Sequence, residues 1–275
     1  MNMSKSKKEI IIYTLCVLTF TNILWFLGYN LRNINEKSIL AVLILALACF
    51  MPLIITLIMC KIAKTKFRTL KIKPNIKKSW KTYLLAIFMG VFIVFWTDLI
   101  PLLFFPNDVS LNPDSLKLLF FGQIFLYTII SVIESVELLG EELGWMGFLY
   151  PRLEKECGVL IGTILTAVIR TLYHLVALIL IGKTLNGAII AIISLFINNL
   201  FLQSLLVYVT KKSDSVFPAS IIHSISNILV LLSFVSYNEG FDESITFKSV
   251  SLIPIFIIGM VFYILLLKDK NRKLN

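Results

Sequence analysis

The sequence predicts an all-α polytopic membrane protein of about eight transmembrane helices, with N- and C-termini cytoplasmic. Three observations predict it. Of 275 residues, 58% are hydrophobic and only 15% charged, against about 25% charged in soluble domains; the mean hydropathy is +0.89. The apolar residues fall in runs of about 20, the length that crosses a hydrocarbon core. The basic residues behind the net charge of +10 sit in short loops between those runs, as cytoplasmic loops do. No arginine-and-aromatic platform accompanies them, which argues against nucleic acid. The lipid bilayer is the expected surrounding, and a multi-pass place in a cell membrane the expected location.

The chain reads as a single transmembrane domain over 1–275. Lys5, Lys7 and Lys8 precede an apolar run over 9–29, which resembles a signal peptide but is long and lacks a small-residue cleavage site. It is expected to be a retained first span. The second span covers 38–60, with Pro52 inside it, which membrane helices tolerate. Residues 61–81 carry nine Lys/Arg and no acid, so this loop is assigned to the cytoplasm. The third span runs from about Tyr83 to Phe104, and the loop 106–113, without a basic residue, reads as external. The fourth begins near Leu116. No helix breaker follows until Pro151, and Gly140, Gly144 and Gly147 give it a small-residue face suited to close helix packing. The fifth lies within 158–182, the sixth within 186–209, the seventh over Val216–Val235 and the eighth over about 250–267. Lys211 and Lys212 read as cytoplasmic, as do Lys268, Lys270, Arg272 and Lys273, while the acidic loop 238–243 reads as external. Cys16, Cys49, Cys60 and Cys157 form no Cys-x-x-Cys pair, so neither a disulfide framework nor a thiolate zinc site is expected.

Polar residues inside these runs are the candidates for function. A charge at the bilayer centre costs about 2.5–3.5 kcal/mol on insertion scales. Yet Glu134, Glu137, Glu141 and Glu142 fall within nine residues of one span. The first three share a helical face at spacings of three and four and are expected to line a water path. Glu142 is rotated by about 100° from Glu141, so the two cannot do the same job. A glutamate held beside water is a competent general base; the alternative is a solvated vestibule. The only two histidines, His174 and His223, also lie in apolar runs. His223 and Asn227 are one helical turn apart, and both can donate to a developing oxyanion, or simply to a neighbouring helix. Arg170, one turn before His174, must find an acid, and the glutamate cluster is the obvious source.

The sequence Glu141-Glu-Leu-Gly-Trp-Met-Gly-Phe-Leu-Tyr-Pro-Arg-Leu153, then Leu-Tyr-His174, then Phe-Pro-Ala-Ser-Ile-Ile-His223-Ser-Ile-Ser-Asn227, resembles the CPBP family. These are the CAAX-prenyl-protease and bacteriocin-processing, or Abi, intramembrane endopeptidases. The resemblance covers a motif core of about 134–230. It implies that Glu141 activates the attacking water, that His174 orients that water, and that His223 and Asn227 form the oxyanion site. It makes Glu142 mainly structural. Two departures accompany it. The family's usual arginine four residues after the second Glu is Met146, and the usual aromatic four residues before the first His is Arg170. One change is expected to answer the other, with Arg170 supplying the cation that Glu142 would otherwise lack.

The resemblance leaves the metal question open, because the family carries both metallo and metal-free readings. If a divalent ion such as zinc were bound, Glu141, His174 and His223 would be its ligands. No His-Glu-x-x-His helix is present, and the expectation is a metal-free site with no cofactor. The expected partner is a peptide or membrane-protein substrate. The Lys-, Ile- and Asn-rich composition points to a bacterium, where leader peptides are more natural substrates than prenylated tails. Two rival classes are a non-catalytic immunity or scaffold protein and a proton-coupled transporter that uses the buried Glu, His and Arg as a relay. One difficulty concerns depth. With Glu141 placed near the inner end of the fourth span, His174, 16 residues or about 24 Å beyond 158, would lie too deep to meet it. Residues 151–161 are therefore expected to form a shallow or re-entrant piece, with the site toward the cytoplasmic side.

Overall fold

A computed structural model describes residues 4–113, 123–182, 184–229, 235–238 and 249–272. The start of the fourth span at Leu116, the Glu137 side chain, residue 230 of the motif core, most of the acidic loop 238–243 and Lys273 lie outside the described residues. Nine α-helices dominate what is described: α1 (Lys5–Ile34), α2 (Ile39–Ile62), α3 (Ile76–Phe104), α4 (Gln123–Glu142), α5 (Tyr150–Tyr173), α6 (Leu175–Ile181), α7 (Leu185–Ser213), α8 (Phe217–Leu229) and α9 (Ile253–Arg272). Six helical stretches among the described residues are long and apolar enough to cross a membrane. The protein is an all-α polytopic membrane protein. The seventh expected span corresponds to α8, described over only 13 residues.

Side-chain oxygens close the helix starts that polar residues open. Ser4 Oγ accepts from Lys7 N at 3.1 Å, Ser38 Oγ from Ala41 N at 3.2 Å and Thr184 Oγ1 from Gly187 N at 3.1 Å. Each satisfies an amide that the helix itself leaves unpaired. Inside the bundle, Thr163, Thr166 and Thr171 return their hydroxyl protons to the carbonyl four residues back, so these buried hydroxyls need no water.

Ion pairs and backbone bonds collect the basic segments at one end of the bundle. Arg152 Nε meets Glu9 Oε2 at 2.6 Å, Lys71 meets Asp214 at 3.3 Å, and Lys211 pairs with Glu154. Lys5 Nζ donates to Ala63 O at 3.2 Å, and Asn75 Nδ2 to Asp214 O at 2.9 Å. Lys212 reaches Asp269 of α9 at 2.8 Å. The start of α1 and the last turns of α9 therefore share this basic end. At the far end, Val109–Leu111 and Val235–Tyr237 pair as an antiparallel two-stranded ribbon, with Val109 opposite Tyr237. Val235 was expected to end the seventh span. It lies instead in extended chain, where a β-branched residue fits the pleat.

The helix that carries the two glutamates does not stop near them. After α4 the backbone passes through a π-helical turn over Leu143–Leu149, in which Tyr150 N–H bonds Trp145 O five residues back. It then continues as α5 to Gly158, whose φ of 83° and ψ of 172° break the helix. That conformation is essentially confined to glycine. The chain reverses there: a Cβ on Gly162 would come within 2.9 Å of Glu154 N, eight residues earlier, which a straight helix would hold about 12 Å away. This corrects the expected shallow piece at 151–161. Glu141 lies 17 residues before the reversal and His174 16 after it, so the two limbs of the hairpin bring them to one depth. The site accordingly sits near mid-length of α2 and α7, beside Cys49, Asn198 and Asn199, deeper than the expected position toward the cytoplasmic side.

Candidate active site

Glycines let the π turn settle into the bundle. A Cβ on Gly144 would lie 2.8 Å from Pro52 Cβ, and one on Gly147 would lie 2.7 Å from the Leu70 carbonyl oxygen. The turn is packed on all sides, and Leu143–Tyr150 are buried. Trp145 meets Tyr13 edge-on with centroids 6.3 Å apart and Tyr173 at 5.3 Å. Burial of these rings holds the preceding turn, and so the two glutamates, in a fixed orientation.

Glu141 and Glu142 face different surroundings. Glu142 is fully buried. Its Oε1 lies 2.9 Å from Arg170 Nη1 and 3.0 Å from His223 Nδ1, and its Oε2 lies 3.2 Å from the same guanidinium nitrogen. Arg170 is itself buried and stands 6.0 Å from the centre of the Trp145 ring. A continuous helix would separate these residues, 28 positions apart, by about 42 Å; the reversal at Gly158 puts them in contact. The position of the family's arginine, Met146, is fully buried and accepts at Sδ from Gln203 Nε2 at 3.6 Å.

Among the described residues Glu141 has only long contacts: Trp145 Nε1 to Oε2 and Tyr173 Oη to Oε1, each 3.5 Å. It lines a cavity of about 430 Å³ that Glu142 does not reach. Arg170, His174, His223 and Asn227 line the same cavity. Four sequence-selected residues from three segments thus converge on one space, with Arg170 beside them. Glu134, by contrast, is exposed and lines none of it.

Tyr173 shows how a residue given no role in the sequence shapes the site. Pro52 has no N–H, so in α2 the carbonyl four residues earlier, Ala48 O, has no helical donor. Tyr173 Oη donates to that oxygen at 3.0 Å. The bond fixes the ring against Trp145 and against His174, whose ring centroid is 4.6 Å away. His174 itself occupies the break between α5 and α6, with Trp25 on its other side at 6.2 Å. Asn199 Nδ2 donates to Thr171 Oγ1 at 3.1 Å. Sequence reasoning passed over Tyr173, Trp25, Asn198 and Asn199. The signal for the asparagines was present: two adjacent amides in the middle of an apolar run demand partners or water.

Among the described residues, no group of three His, Cys, Asp or Glu side chains lies close enough to hold a metal ion. The set Glu141, His174 and His223 is thus not gathered closely enough to ligate one ion as arranged.

Residues 117–229 match the family model described as Rce1-like, Type II CAAX prenyl endopeptidase Rce1-like. This segment is similar to the CAAX proteases that the model describes. The match supports the CPBP resemblance over the stretch that carries its motifs, and it takes in Glu141, Glu142, Arg170, His174, His223 and Asn227. No curated protein matches the chain. The matched segment spans 113 of the 275 residues.

Proposed function

We propose that the protein is an intramembrane endopeptidase in which Glu141 activates water. The observation that carries this reading is the inequality of the two adjacent glutamates. Glu142 is engaged at short range by Arg170 and His223 and stays out of the cavity. Glu141 borders the cavity with acceptor capacity left over, since an ionised carboxylate can take about four hydrogen bonds and its two protein contacts are long. A water in the cavity is its natural next partner.

In the proposed reaction, the water oxygen attacks the scissile carbonyl carbon while Glu141 takes the water's proton. The carbonyl π electrons move to oxygen, and the oxyanion accepts from Asn227 Nδ2–H and from His223. Glu142 holds His223 through Nδ1, which leaves Nε2 for the cavity, and donation to the oxyanion requires a hydrogen on Nε2. His174 orients the water. Collapse of the tetrahedral adduct breaks the C–N bond, and Glu141 returns the proton to the leaving nitrogen. Each oxyanion donor is worth about 10²–10³ in kcat, and a positioned base about 10²–10⁴.

The test uses purified protein in detergent with a fluorogenic peptide library. Wild type cleaves a subset of the library, and a chelator leaves the rate unchanged. Glu141→Gln lowers kcat by at least about 100-fold without moving the thermal midpoint. If Glu141→Gln cleaves at the wild-type rate, the reading is wrong.

A further inference from the structure

The direction in which the cavity extends carries a second conclusion, about the substrate. Between the glutamates and the basic end, the bundle is filled by fully buried side chains: Tyr13, Met146, Trp145, Phe148, Leu206 and Ile222. Tyr13 and Phe148 stack with centroids 4.9 Å apart. Beneath them Arg152 lies 3.6 Å over the Phe148 ring and pairs with Glu9. Interiors packed in this way leave no passage for water or chain. The cavity runs the other way. Its remaining lining includes Trp25 and Tyr29 of α1, Leu178 and Ile181 of α6, and Leu195 of α7. Leu195 lies farther from the basic end than Asn198 and Asn199 of the same helix, and Leu178 and Ile181 follow His174 away from it. Trp25 is 20 residues beyond Lys5, about 30 Å along α1, and Ile181 closes α6. The Trp25 indole N–H is buried and has no hydrogen-bond partner among the described residues.

The basic end includes the loop with nine Lys/Arg and no acid, which the positive-inside rule assigns to the cytoplasm. We infer that the cavity is loaded from the opposite, non-cytoplasmic side, so that its substrate is an exported or outer-leaflet peptide segment rather than a cytoplasmic tail. The substrate part rests on the peptidase reading; the direction of access does not.

The full-length chain in proteoliposomes tests this directly. Cys49 lines the cavity and serves as a reporter once Cys16, Cys60 and Cys157 are changed to Ala; Ile181→Cys is a second reporter at the mouth. Lys78→Cys, on an exposed residue of the basic end, marks orientation. A membrane-impermeant maleimide is applied from one face at a time. Cys49 and Ile181→Cys are expected to react only from the face where Lys78→Cys does not, and a cleavable peptide from the library is expected to be cut only when supplied on that face. Labelling of both cavity thiols from the Lys78→Cys face alone overturns the inference, whatever the activity. Cleavage confined to peptide on the Lys78→Cys face overturns it equally. Labelling as expected combined with an inert Glu141→Gln substitution upholds the route and sinks the peptidase reading instead.

Discussion

The pair Glu142–Arg170 is the sharpest energetic statement at the scale of single residues. Both groups are buried, and removing one partner leaves the other as an uncompensated charge, at a cost of about 3–5 kcal/mol. Arg170→Met is therefore expected to lower the thermal midpoint in detergent strongly. The double substitution Arg170→Met with Glu142→Gln recovers much of that loss, because no bare charge remains. A double variant as unstable as Arg170→Met alone would show that the guanidinium acts by packing rather than by pairing. Tyr173→Phe strips Ala48 O of its donor, at about 1–3 kcal/mol, and loosens the ring against His174; both melting and kcat fall. Glu141, His174, His223 and Asn227 could be picked from the sequence because polar groups stand out in an apolar run. Tyr173 could not. Its task is created by a proline on another helix, and no pattern within its own span records that.

For whole elements, hydropathy locates runs of apolar residues but not how the chain bends between them. The six long apolar stretches were legible for this reason. Gly158 was not: it marked only the start of the fifth span, inside a piece expected to be shallow or re-entrant, and its backbone angles alone reveal a reversal. Those angles make a firm prediction. A left-handed αL position accepts asparagine with little loss, whereas the conformation at Gly158 does not. Open space surrounds a Cβ at Gly158, so sterics with neighbours play no part. Gly158→Ala and Gly158→Asn are both expected to destabilise by about 1–3 kcal/mol, as read by denaturation in detergent, with no rescue by asparagine. Recovery with Asn alone would place the residue in a different backbone region.

Across the entire molecule, the basic end acts as a clasp. Arg152 is largely buried, pairs with Glu9, donates to Phe148 O at 2.9 Å and covers the Phe148 ring; it ties α1 to the hairpin that bears the site. Lys212 pairs with Asp269 in the open, each side chain more than a third exposed. Arg152→Ala is expected to cost about 1.5–3 kcal/mol, the range for a charged hydrogen bond, and Lys212→Ala less than about 1 kcal/mol, in the same melting assay. Equal losses would show that the clasp is no more than surface charge. Charge counting in the loops foretold that these segments share an end, since positive-inside bias acts on each loop separately. It carried no information on which way a cavity in the interior points, because that depends on where large side chains such as Trp145 and Phe148 fill the space.

The π-helical turn at Leu143–Leu149 has a consequence for how this chain tolerates change in length. Such a turn is an α-helix holding one surplus residue. Deleting a single residue from it leaves a backbone that can close into regular helix, so the span itself survives. The upper half is then out of phase with the lower by about 100°. The aromatic wedge and the carboxylates can no longer point inward together. The surplus residue is thus a phase shifter between two faces of one rod, and insertions or deletions here should separate folding from chemistry more cleanly than any substitution.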